Sequence, residues 1–173
     1  MARTPLLLVN TGDGKGKSSA AFGVMARGAM RGWTVGVVQF LKSGEWKTGE
    51  QKLAEQLGIR WHALGDGFTW DSTDLDETAA LGVHAWSVAK ELLASGDFDL
   101  LIFDEITYTM TFGWVPVADV VEALRTRPDR TNVVVTGRDC PPEVIEIADT
   151  VTEMRLVKHA YDRGIPARKG IEY

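Results

Sequence analysis

Leu6–Ser19 reads LLLVNTGDGKGKSS. An apolar run leads into glycines at alternate positions, and KSSAAFGVMARGAMR follows over Lys17–Arg31. Strand, glycine loop and helix in that order are the setting of a phosphate-binding loop. The usual pattern is G-x-x-x-x-G-K-[ST]. Gly16, Lys17 and Ser18 fill its last three places, but Thr11 stands where the first glycine belongs. The physics asks for backbone N–H groups turned inward as a nest, which takes residues free to adopt positive φ. Gly12, Gly14 and Gly16 supply three such positions. The helix N-terminus adds partial positive charge. Lys17 is then placed among phosphate oxygens and the Ser18 hydroxyl on Mg²⁺ (or Mn²⁺), with Lys15 as a second cation. The competing interpretation, a glycine-rich turn with solvated lysines, leaves the GKS ending at a helix start unexplained.

The chain has 173 residues, 45% of them apolar, and a formal net charge of −5. A chain of this size buries roughly 70% of its unfolded surface, enough for one self-standing core. The negative balance argues against a general nucleic-acid binder, which needs a basic footprint. No apolar run approaches the ~18 residues of a membrane span, and MARTPLLLVN is too short in its apolar part for a secretory signal. The expectation is a cytoplasmic protein. The one cysteine, Cys140, forms no intrachain disulfide and reads as a small packed thiol.

Strand-length apolar runs alternate with helical patterns. Leu6–Asn10, Val35–Phe40, Ile59–Leu64, Leu100–Asp104, Asn132–Thr136 and Val151–Val157 are expected strands. Continuous runs such as LLLV, VGVV and LLIF mark strands buried on both faces, hence a mainly parallel sheet covered by helices. Helices are expected over Lys17–Arg31, Thr48–Leu57, Asp74–Ala94, Val117–Arg125 and Glu143–Ala148. The longest carries Leu75, Ala79, Val83, Trp86, Ala89 and Leu93 at threes and fours, with N-cap side chains at Ser72, Thr73 and Asp74 and a stop at Gly96. The βαβα order predicts a single α/β domain over residues 1–173.

Other chemistry-bearing residues lie at strand ends. Leu100–Glu105 reads LLIFDE: apolar residues, then two acids where a phosphate-bound Mg²⁺ takes a carboxylate. Period two sends Asp104 and Glu105 to opposite sides, so one of them faces the metal. Arg138, after Val135-Thr136-Gly137, meets phosphate or solvent. Phe68 and Trp70, in the glycine-bearing stretch GDGFTW, either fold back onto the sheet or offer a flat face to a flat ligand. His62 and His84 read as structural; His159 is the histidine placed near a ligand.

TGDGKGKSSAAFG, VGVVQFLK, GDGFTW, FDEITY, TGRDCP and VKHAYDRGIPARKGIEY occur here in this order. In that set and order the chain resembles the ATP:corrinoid adenosyltransferases of the CobA/BtuR/CobO type, from about Leu6 to Tyr173. The resemblance implies a RecA-like P-loop α/β fold, usually dimeric. It implies transfer of the 5′-deoxyadenosyl group of ATP to Co(I) of a corrinoid (cobalamin, cobinamide or cobyrinic acid a,c-diamide), with triphosphate released. ATP lies reversed in the loop of this family, which suits an atypical first residue.

Co(I) is itself a strong nucleophile, so no general base is required; the protein supplies charge stabilisation and placement of C5′. The resemblance assigns the leaving group to Gly12, Asp13, Gly14, Lys15, Gly16, Lys17, Ser18 and Ser19, and the metal side to Ser18 and Glu105. Arg27, Arg138 and His159 become nucleotide-side candidates. Phe68 and Trp70 are assigned to the corrinoid, where they displace an axial ligand so that Co(II) is easier to reduce. An external reductant is implied, reduced flavodoxin or another flavoprotein. Five residues precede Leu6, whereas the family often carries a longer N-terminal helix over the active site, so the cover here is absent or comes from another segment. The rival expectation is a phosphotransferase or ATPase of RecA or nucleoside-kinase type.

Overall fold

Residues that alternate between two apolar faces need cover on both, and that requirement organises the molecule. The computed structural model describes residues 4–43, 48–65 and 75–172. Six strands, β1 (Leu7–Thr11), β2 (Val35–Ser43), β3 (Arg60–Gly65), β4 (Leu100–Asp104), β5 (Asn132–Thr136) and β6 (Thr150–Glu153), form one sheet in the order β3-β2-β4-β5-β1-β6. Every neighbouring pair is parallel, as the continuous apolar runs predict. The residues of β4 are all buried. Leu101 and Phe103 point into one core with Val133, Val135 and Phe40. Leu100 and Ile102 point into a second with Val134, Val35 and Val37.

Helices close both faces. α1 (Lys17–Ala29) and α2 (Gly49–Gln56) contribute Ala21, Phe22, Met25 and Ala54 to the second core. α3 (Leu75–Ser95), α5 (Val117–Arg125) and α6 (Pro142–Ile147) contribute Trp86, Leu93, Val120, Leu124 and Val144 to the first. Phe103 is the hub there, with Phe40 and Trp86 edge-on at 6.3 Å each. The short α4 (Thr107–Thr111) follows β4.

The expected single α/β parallel sheet is therefore observed, and β4, β5 and α5 begin and end where the sequence places them. Four differences have physical causes. β2 runs on to Ser43 through an irregularity in its pairing with β3 after Gln39. α1 stops at Ala29, where the amides of Met30, Arg31 and Gly32 turn back onto the carbonyls of Ala26, Gly28 and Ala29. β6 ends at Glu153 instead of Val157, because Met154 turns its carbonyl to the glycine loop. α4 has no apolar periodicity long enough to announce it. The N-cap candidates Ser72, Thr73 and Asp74 lie outside the described residues.

Candidate active site

A parallel sheet collects the C-terminal ends of its strands at one edge, and ligands of open α/β sheets bind there. The loop after β1 joins the ends of β4, β5 and β6 at that edge. Thr11 is the last residue of β1 and is 8% exposed. Its hydroxyl accepts the Cys140 amide at 3.2 Å, and its carbonyl accepts the Met154 amide at 2.8 Å. Both bonds belong to an ordinary strand residue, so no glycine is needed at this place. Positive φ begins one residue later, with Gly12 at 92° and Gly16 at 110°.

Gly14 corrects the expectation that all three glycines supply left-handed backbone, because its φ is not positive. It is glycine for want of space: a Cβ would stand 2.7 Å from the Met154 carbonyl oxygen and 2.8 Å from the Arg155 backbone. A Cβ on Gly12 would lie 2.6 Å from the same oxygen. The Gly14 amide donates to the Met154 carbonyl at 2.6 Å, so the residue that follows β6 fastens the loop. No side chain caps α1 at Gly16, which leaves the first-turn N–H groups to a ligand.

Lys17, the first residue of α1, folds its ammonium back onto the carbonyls of Gly12 and Gly14, 2.7 Å from each. Burial is the largest cause lowering its pKa, with the Arg138 guanidinium next; Asp13 and Glu105 pull the other way. A cation desolvated beside another cation favours an incoming anion.

Lys15, Gly16, Lys17, Ser18, Ser19, Glu105, Arg138 and His159 line one cavity of about 400 Å³. Gly12, Asp13 and Gly14 form the loop itself. Thr136 and Gly137 from β5, Thr48 and Glu50 at the start of α2, and Phe22 from α1 complete the wall. The two acids part as expected, but β4 ends at Asp104, and the left-handed backbone of Glu105 rather than strand period two sets its direction. Asp104 is 0% exposed and accepts from Gln39 Nε2 at 2.9 Å and from the Thr136 hydroxyl at 2.8 Å. Glu105 has φ 66° and lines the cavity. Arg138 is exposed at the cavity edge. His159 accepts the Tyr161 amide on Nδ1 at 3.0 Å, which leaves Nε2 as its N–H in the neutral ring.

Arg27 is not brought to this cavity. It sits exposed in the last turn of α1, ten residues from Lys17 and therefore about 15 Å along the helix. Phe68 and Trp70 lie outside the described residues. Phe22, Thr48, Glu50, Tyr108, Thr136, Gly137 and Glu172 line the cavity without having been singled out from the sequence, and three of them bear on its chemistry. Tyr108 stands on the unforeseen α4; burial first, then the Glu105 charge, raises its pKa and keeps the phenol neutral. Thr136 was hidden in an apolar strand. Glu172 comes from the C-terminal tail, where it pairs with Lys15. The DEITY and KGIEY stretches carry Tyr108 and Glu172, but only the tertiary fold shows that they meet the loop.

The donors suit a hard cation. The Ser18 hydroxyl and Glu105 carboxylate share the cavity with the phosphate-binding loop, and Mg²⁺ is commonly held by one or two protein oxygens plus substrate phosphates. Among the described residues no group of three His, Cys, Asp or Glu could hold a metal by itself. Among them, too, no helix is long and apolar enough to cross a membrane.

Comparison with known proteins adds the reaction. The sequence model described as ATP:corrinoid adenosyltransferase BtuR/CobO/CobP matches residues 3–173. A corrinoid adenosyltransferase of Escherichia coli (strain K12) is 43% identical over 97% of this chain and 85% of its own length. The corrinoid adenosyltransferase CobA of Salmonella typhimurium is 41% identical over the same shares. A Pseudomonas aeruginosa relative of the same description is 45% identical over 97% of this chain and 83% of its own length. In three dimensions the flagellar accessory protein FlaH of Methanocaldococcus jannaschii aligns with TM-score 0.55 at 13% identity, covering 87% of this chain and 72% of that one. That likeness is one of fold alone.

Proposed function

The chain belongs to the ATP:corrinoid adenosyltransferase family, and from that membership we propose how its cavity carries out the reaction. The enzyme transfers the 5′-deoxyadenosyl group of ATP to the cobalt of a reduced corrinoid. The Co(I) electron pair forms a bond to C5′ as the C5′–O bond breaks, and triphosphate leaves with that bond's electrons. The observation that carries the assignment of the site is the convergence of Lys17, Ser18, Glu105 and Arg138 on one cavity under the glycine loop.

Charge develops on the departing triphosphate, so fixed positive groups aimed there lower the barrier. Lys17 leaves its loop carbonyls for phosphate oxygens, and the open N–H groups of α1 and the guanidinium of Arg138 add to it. Ser18 and Glu105 hold Mg²⁺, which neutralises phosphate charge when bound. Asp13 and Glu105 offset the repulsion between Lys17 and Arg138. His159 presents Nε2–H to the nucleotide. Arg27 remains a nucleotide-side candidate only if some other segment brings the ligand to it. Phe68 and Trp70 receive the corrinoid face and displace its axial ligand. Cobalt needs one electron before attack, and Cys140, buried and lone, is no donor; reduced flavodoxin or another flavoprotein is the proposed source. The enzyme is proposed to work as a cytoplasmic homodimer of single 1–173 domains.

The test is ATP with chemically reduced cobalamin and cobinamide. Loss of the Co(I) absorbance with one triphosphate per adenosylated corrinoid is expected. ADP and phosphate without adenosylation, from folded protein that binds ATP, would support the phosphotransferase alternative. Trp70→Ala is expected to suppress four-coordinate Co(II) in the visible spectrum while leaving ATP affinity nearly intact. Equal loss of both would make that segment a structural one.

A further inference from the structure

A chain of hydrogen bonds runs beneath the cavity across four strands. Trp61 on β3 donates Nε1–H to Gln39 Oε1 on β2 at 3.2 Å. Gln39 Nε2 donates to Asp104 Oδ2 on β4 at 2.9 Å. The Thr136 hydroxyl on β5 donates to Asp104 Oδ1 at 2.8 Å and accepts the Glu105 amide at 2.9 Å. Gln39, Asp104 and Thr136 are buried, so each bond forms where water does not compete for it.

The last bond falls on a strained residue. Glu105 is one of two non-glycine residues with positive φ among those described. Such backbone persists only where the surroundings over-determine it. A threonine hydroxyl has one proton to donate. Because Thr136 gives it to Asp104, its oxygen lone pairs are turned to the Glu105 N–H. Asp104 thus orients the hydroxyl, and the hydroxyl holds the peptide that aims the Glu105 side chain at the cavity. We infer that Asp104 and Thr136 are positioning residues for the nucleotide-borne cation, acting through the peptide of Glu105. This rests on the proposal that Glu105 faces the metal.

The probe is Mn²⁺, followed by electron paramagnetic resonance in the presence of ATP, with melting temperature recorded alongside. Thr136→Val removes the hydroxyl at nearly constant shape. It is expected to weaken Mn²⁺ binding by roughly 10- to 100-fold, the usual cost of losing an outer partner of a metal ligand. Thr136→Ser is expected to restore it, with the Mn²⁺ affinity of each variant read relative to that variant's own metal-free ATP affinity. If Thr136→Val does not fold, Thr136→Ala takes its place. Wild-type Mn²⁺ affinity in a folded hydroxyl-less variant, while Glu105→Gln has lost it, overturns this inference alone. Wild-type affinity in Glu105→Gln removes Glu105 from the metal and the inference with it.

Discussion

The amide of Gly14 and the carbonyl of Met154 are joined at 2.6 Å, so the glycine loop rests on the end of the sheet's outermost strand. Gly14→Ala drives a methyl into that contact, against backbone that has no rotamer with which to yield. ATP affinity measured calorimetrically is expected to fall at least tenfold, about 1.4 kcal/mol. Gly23→Ala serves as the control, since an added Cβ there meets nothing within 4 Å on an exposed helix position. It is expected to stabilise by up to about 1 kcal/mol and to leave ATP binding alone.

Thr11→Gly restores the usual loop pattern and is expected to make the protein worse. The change deletes the hydroxyl that accepts the Cys140 amide and loosens a strand end. A loss of about 2 kcal/mol in chemical denaturation follows from the hydrogen bond and the glycine entropy together. No gain in ATP affinity is expected, because the left-handed positions lie at Gly12 and Gly16.

Glu105→Asn should separate stability from activity. Asparagine accepts left-handed backbone more readily than glutamate, so relief of strain is worth up to about 1 kcal/mol out of the 1–3 that such residues store. Melting temperature is expected to hold or rise. Adenosylation is expected to drop by about 10²-fold or more, the scale seen when one electrostatic contact to a developing charge is removed.

Much of this was legible in the sequence because it is local. The strand–loop–helix frame and the double burial of LLIF follow from continuous apolar runs and from glycine spacing, whereas the parting of Asp104 from Glu105 depends on a left-handed backbone at Glu105 that no spacing announces. What was not legible depends on partners far along the chain. Gly14 looks like Gly12 and Gly16 until Met154 is set beside it. Thr136 reads as one more strand residue until Asp104 and Glu105 arrive on the neighbouring strand. Tyr108 sits on a five-residue helix, too short to imprint a period, and Glu172 reaches Lys15 only through tertiary folding.

Cys140 supplies a pH test. Burial pushes its thiol up to about 12 from an ordinary value of 9.0. The folded state therefore keeps the proton to higher pH than the unfolded state. Its contribution is fully present below pH 9 and is lost as pH rises toward 12, with a slope of up to about 1.4 kcal/mol per pH unit. Denaturation at pH 8 and pH 10 should show that slope in the native sequence and a smaller one in Cys140→Ser. At pH 8 a disulfide reagent is expected to label the thiol only as fast as the protein unfolds.

The strand order has a consequence for biosynthesis. β1 leaves the ribosome well before its neighbours in the sheet, β5 and β6: Leu7 lies beside Val133, and Leu8 beside Thr150. At ordinary elongation rates β1 must wait on the order of ten seconds for them. A nascent chain stopped short of β5 carries every letter of the phosphate loop and has neither flank to brace it. Nucleotide binding can therefore begin only once β5 and β6 have been made, so the phosphate loop becomes functional long after its own residues have been translated.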